Sequence, residues 1–234
     1  MNAFFNPKSA VSQLLTGALL TLFLTTPASA TLLGVQPGIP KIAFGSSTGQ
    51  GATFNASTGA LSFTAVPYYY QPTASTLILA PFSGSASLQI GFDVNSSGVI
   101  TGHHSGGDFV LTGTVDTGTQ GGKYSGTLLT GNIDRFGFLN QTATTDAMDF
   151  VFNITGGSMM SLYGTGTLGV SMALENSTFN GTFADNFSST RIKGSLGPVA
   201  VPDSIPDPST PLLLVAGLPL MMRAIRKHGR RKAA

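Results

Sequence analysis

Sustained apolar stretches occur only near the two ends of the chain, at Leu14 to Leu24 and Leu212 to Met222, and alternating apolar and polar positions fill the sequence between them. Alternation with a period of two sends successive side chains to opposite faces and marks half-buried strands. Ala52 to Asn55 and Ala60 to Ala65 alternate around a Ser57-Thr58-Gly59 turn. Leu88 to Val94 alternates, turns at Asn95-Ser96-Ser97-Gly98 and continues at Val99 to Thr101. Phe109 to Val115 follows a Gly106-Gly107 break, and Lys123 to Leu129, Ile133 to Leu139, Met148 to Ile154, Leu168 to Leu174 and Phe179 to Phe183 extend the series.

About nine or ten strands at this spacing predict an all-β, antiparallel β-sandwich or barrel-like domain. No window sustains a helical period. The expected core is Phe63, Leu88, Ile90, Phe92, Phe109, Leu111, Phe136, Phe138, Phe150 and Phe152. Gly-Thr and Thr-Gly pairs recur without a fixed period, which argues against a solenoid.

The ends read as addresses. Lys8, the apolar stretch Leu14 to Leu24 and the small-x-small site Ala28-Ser29-Ala30 predict a signal peptide over 1–30, cleaved after Ala30 with Ala28 and Ala30 in the peptidase pocket. Residues 31–200 form the expected extracellular all-β domain. A Pro-rich linker over 201–211 comes next, then a hydrophobic transmembrane segment over 212–225 and a basic cytoplasmic tail over 226–234. The eleven apolar residues Leu212 to Met222 rise only about 17 Å as a helix, a short span. Arg223, Arg226, Lys227, Arg230, Arg231 and Lys232 form a membrane-stop cluster that stays cytoplasmic by the positive-inside rule.

Composition sharpens this picture. Charged residues make up only 9% of the chain, and cysteine is absent, which excludes disulfides and thiolate chemistry. The formal net charge of +2 misleads, because six of the twelve basic residues lie in the terminal cluster. Residues 31–200 hold five basic against eight acidic side chains, a net −3. A mildly acidic domain is a poor nucleic-acid binder, since neutralising phosphate supplies most of that affinity.

The order of the tail, Pro206-Asp207-Pro208-Ser209-Thr210, then Leu212 to Leu218, then the basic cluster, resembles the PEP-CTERM sorting signal. Asp207 stands where that family has Glu, and Pro219 interrupts the apolar run. The resemblance covers about the last thirty residues. It implies a sorting motif at Pro206, Asp207 and Pro208, processing by exosortase, and a Gram-negative host that makes extracellular polysaccharide. It also implies delivery to the cell surface or matrix, with transient or retained inner-membrane anchoring.

Candidate chemistry within the domain is sparse. Asp93, Asn95, Ser97 and Gly98 follow a calcium-loop spacing, but His104 occupies the twelfth position in place of the closing Glu, and hairpin turns select the same residues. His103-His104 with Asp108 is the one imidazole cluster; neighbours on a strand face opposite ways and rarely chelate one ion. Tyr68-Tyr69-Tyr70, between Pro67 and Pro72, reads as an aromatic loop able to stack on sugars. Asn-x-Ser/Thr triplets at Asn55, Asn140, Asn153, Asn176, Asn180 and Asn186 match chance in so polar a chain. No nucleophile elbow or triad is legible, so no catalytic residue, cofactor or metal is expected.

The expected function is that of an exported, non-enzymatic structural or interaction protein of the cell surface or exopolysaccharide matrix. Signal peptidase and exosortase would process it, and extracellular polysaccharide would be its partner. The alternative is a secreted hydrolase acting on matrix glycan or peptide, which needs convergent carboxylates in a cleft.

Overall fold

The computed structural model describes residues 31–118, 122–164 and 166–199. The expected signal peptide, linker, transmembrane segment and basic tail, with Ala28, Ala30, Pro206, Asp207, Pro208 and the cluster from Arg223 to Lys232, lie outside the described residues. Among the described residues no helix is long and apolar enough to cross a membrane.

The strands are β1 (Lys41–Gly45), β2 (Gly51–Asn55), β3 (Ala60–Thr73), β4 (Thr76–Leu79), β5 (Phe82–Val94), β6 (Ile100–His103), β7 (Phe109–Asp116), β8 (Lys123–Asn140), β9 (Thr145–Gly156), β10 (Thr167–Ser177) and β11 (Phe187–Pro198). One helical turn, α1 (Met160–Tyr163), follows β9. Each long strand pairs antiparallel with the next, from β3 through β5, β7, β8, β9 and β10 to β11. β11 then pairs with both β1 and β2, and these both pair with β3. β1 and β2 thus share one strand position, interrupted at 46–50. The ring closes as an eight-strand antiparallel barrel, with β4 and β6 as short hairpin partners of β3 and β5. Of the two expected architectures the barrel is the one adopted, and closure leaves the ring no open edge.

Alternation places Phe63, Phe92, Phe109, Phe150 and Phe152 inside, all nearly inaccessible. Phe136, half-buried, stacks on Phe150 at 5.2 Å, and Phe63 meets Phe150 edge-on at 5.3 Å. An eight-strand barrel is just wide enough for side chains to fill, and a single apolar cluster draws residues from every ring position. Burying each large aromatic stabilises the fold by about 2–3 kcal/mol.

Four details depart from the sequence reading. Lys123 to Leu129 and Ile133 to Leu139 are one strand, β8, which absorbs the intervening polar residues through irregularities at Thr130/Gly131 and Ile133/Arg135. Phe179 to Phe183 is not a strand. Its rings turn inward and plug one barrel end, Phe183 lying 4.9 Å from Phe138 and 5.0 Å from Phe54. Tyr68 to Tyr70 is part of β3 and not a loop; Pro67 is accommodated because the register with β1 shifts opposite it, at Ala43/Phe44. Strands β1, β4 and β11 were not anticipated, because β1 and β4 are short and β11 faces the core with small Ser189 among its few large apolar groups.

A further element lies on the outside. Residues 31–38 cross β8, β9, β10 and β11 as a strap. A Cβ on Gly137 would come within 2.7 Å of the Leu33 nitrogen, and one on Gly169 within 2.6 Å of Val35 and 3.0 Å of Val199. Gly38 N–H donates to the Pro198 carbonyl at 2.7 Å. Under the strap, outward-facing Val151 is buried.

Candidate functional site

The polar groups singled out by sequence come together at the barrel end where β5, β6 and β7 meet. Asp108 immediately precedes β7 and is buried; its carboxylate accepts from His103 Nδ1–H at 2.6 Å, His104 N–H at 2.8 Å and Ile133 N–H at 2.9 Å. Two backbone donors on one carboxylate tie the 104–108 loop to β8, which is a structural task. His104 turns the other way, as adjacent strand-end residues must. Its ring lies over Gly91, whose absent side chain makes the room, and its Nε2 sits 3.7 Å from Asp93 Oδ1. The two imidazoles therefore face different carboxylates, and no group of three metal-ligating side chains converges among the described residues.

The Asp93 to Gly98 segment is a hairpin turn. Asn95 Oδ1 accepts from the Ser97 and Val99 amides, both at 3.0 Å, and Asn95 O accepts from Gly98 N–H at 2.9 Å. The side-chain oxygen that a calcium ion would use is spent on the turn's own backbone.

The tyrosines separate. Tyr68 is 49% exposed and meets Tyr69 edge-on at 5.1 Å. Tyr70 points inward, with its hydroxyl unpaired among the described residues, and burial, with nearby Tyr124, pushes that phenol up to about 12. Tyr163 is likewise buried and unpaired, raised by burial and by Tyr70.

The remaining carboxylates are dispersed. Asp149, buried on the outer face of β9, accepts from Leu33 N–H at 2.9 Å and Val35 N–H at 3.1 Å and so holds the strap. Asp134 pairs with neighbouring Arg135 at 3.2 Å, Glu175 with Lys193, and Asp185 accepts from Asn180 at 3.2 Å. The Lys193 hydrogen bond and charge hold the Glu175 carboxyl below its usual range. Asp146 points into the plugged barrel end with neither oxygen in hydrogen-bonding geometry, although Ser177 and the Gln141 backbone face it. Burial outweighs these neighbours and raises its carboxyl above the usual range.

Sequence reasoning missed the clamp at Asp149 and a polar outer wall at Ser62, Thr64 and Gln89. Both are assembled by ring closure from distant segments. The one local signal is that polar members of alternating strands must face out. The chain was compared with family models, curated proteins and solved structures, and no family model, curated protein or solved structure matches it.

Proposed function

We propose that the protein is an exported structural or interaction protein of the cell surface or exopolysaccharide matrix, delivered by its N-terminal signal and C-terminal sorting tail and processed by signal peptidase and exosortase. The observation that carries the binding part of this reading is the division of the barrel: packed apolar side chains occupy the inside, and uncharged hydroxyl and amide groups line broad outer walls. Such walls suit weak, repeated contact with polysaccharide, where many modest sites add up to strong retention. The engagement of Asp108 and Asp149 by backbone amides and of Glu175 by Lys193 favours a binding role over hydrolysis, because most glycosidases work with two facing carboxyl groups across a cleft. The docking of Leu33 and Val35, just beyond the expected cleavage site, agrees with a mature chain that starts at Thr31.

The test is retention of the purified full chain on polysaccharide extracted from its host's matrix. The proposal expects retention well above that of a size-matched inert β protein. Equal elution of the two would remove the glycan-binding reading.

A further inference from the structure

The outer wall formed by β11, β2, β3 and β5 carries small, uncharged polar groups in register. Ser188 lies opposite Thr53, Thr53 opposite Ser62, and Ser62 opposite Gly91, the position that the His104 ring covers. Two residues along, Thr64 lies opposite Gln89 in a second row. The rows run across the strands with a spacing of about 4.8 Å between neighbours. The 46–50 segment, where one ring strand is broken, rises on one side, and the 104–108 loop rises on the other. Between them are two adjoining hollows of about 270 and 340 Å³, which share Ser62 and Thr64.

The lining chemistry narrows the ligand. No Lys, Arg or Glu lines either hollow, and the one carboxylate, Asp108, is already bonded to three donors. An anionic chain would meet no Lys or Arg to offset its charge, and the one imidazole in the lining, His104, already faces the Asp93 carboxylate at 3.7 Å; nucleic acid depends on such cations. Thr53 and Ser62 pair their hydroxyls with each other at 2.8 Å, but an apolar ligand would cover the Ser188 and Thr64 hydroxyls and the Gln89 amide without pairing them, at about 1–3 kcal/mol for each group left unsatisfied. A ligand that offers neutral donors and acceptors at regular intervals meets neither penalty. We infer that this wall is a contact surface for a stretch of uncharged glycan chain laid across β11, β2, β3 and β5, hydrogen-bonded by Ser188, Ser62, Thr64 and Gln89. The inference rests on the glycan-binding reading above and adds to it a place on the barrel and a charge class of ligand.

The test is affinity electrophoresis of the full chain through gels containing dextran, laminarin or galactomannan as neutral probes and alginate as the anionic one. Thr64→Arg fills the shared floor of the two hollows, Gln89→Ala removes an amide, and Ser125→Arg places the same charge on exposed β8 away from them. Thermal midpoints of the three variants verify folding. The inference expects retardation by a neutral probe, weakened about tenfold by Thr64→Arg, reduced by Gln89→Ala and unaltered by Ser125→Arg. Retardation unaltered by both Thr64→Arg and Gln89→Ala would overturn this surface while leaving the glycan reading standing. Retardation by alginate alone would overturn the ligand class. Free migration of the unaltered chain through all four gels would overturn the inference and count against the glycan reading itself.

Discussion

At the scale of single residues, buried polar groups divide into those that are used and those that are tolerated. Asp149 is used, since two strap amides end on its carboxylate. Asp149→Ala should cost about 1–3 kcal/mol of stability in urea titration and speed amide exchange at Leu33 and Val35. Asp146 is tolerated. Its carboxyl is raised above 3.8 in the folded state by burial, so between the unfolded and folded values Asp146 binds more proton in the native protein than in the unfolded chain. Stability therefore falls as pH rises from the unfolded value through the folded one, and the loss persists at neutral pH. Asp146→Asn should raise the urea midpoint at pH 7 and confer no such gain at pH 3, where both chains are uncharged at this position. An equal gain at both pH values would show that the effect is not one of charge.

At the scale of elements, the strap and the plug are the two additions to the ring, and each depends on residues distant in sequence. Gly137 is needed because the strap backbone passes where its Cβ would lie. Gly137→Val should expel the strap, making the bonds near residue 38 the first site of limited proteolysis while the strand signal in circular dichroism persists. Phe183 touches Phe54, Phe136, Phe138 and Phe187, so Phe183→Ala should cost about 3–5 kcal/mol, read as a lowered urea midpoint. Alternation alone made the principal hairpins legible, as in β5, where Leu88, Ile90 and Phe92 point inward as expected. It misassigned Phe179 to Phe183, because aromatic spacing in a plug looks like a strand until the ring it closes is known. It read the polar stretch between Leu129 and Ile133 as a break, because a bulge and a turn draw on the same residues.

At the scale of the whole molecule, ring closure determines what the protein offers its surroundings. It fills the inside with phenylalanine, leaves the ring itself without an open edge and gathers the polar wall from β11, β2, β3 and β5. Sequence could identify the individual outward hydroxyls, but their adjacency depends on β11 returning to β2, a pairing about 130 residues apart in the chain. The clustering of His103, His104, Asp93 and Asp108 was partly legible because those residues are close in sequence, whereas the backbone duties of Asp108 were not. Under the proposed function this barrel is the mature, exported part of the chain, released by cleavage after Ala30 and at the sorting motif. The most direct test is the intact mass of the protein recovered from its native host. The account predicts a chain that begins at Thr31 and ends within the Pro-rich linker. A mass that still includes residues 1–30 and the basic cluster would contradict it.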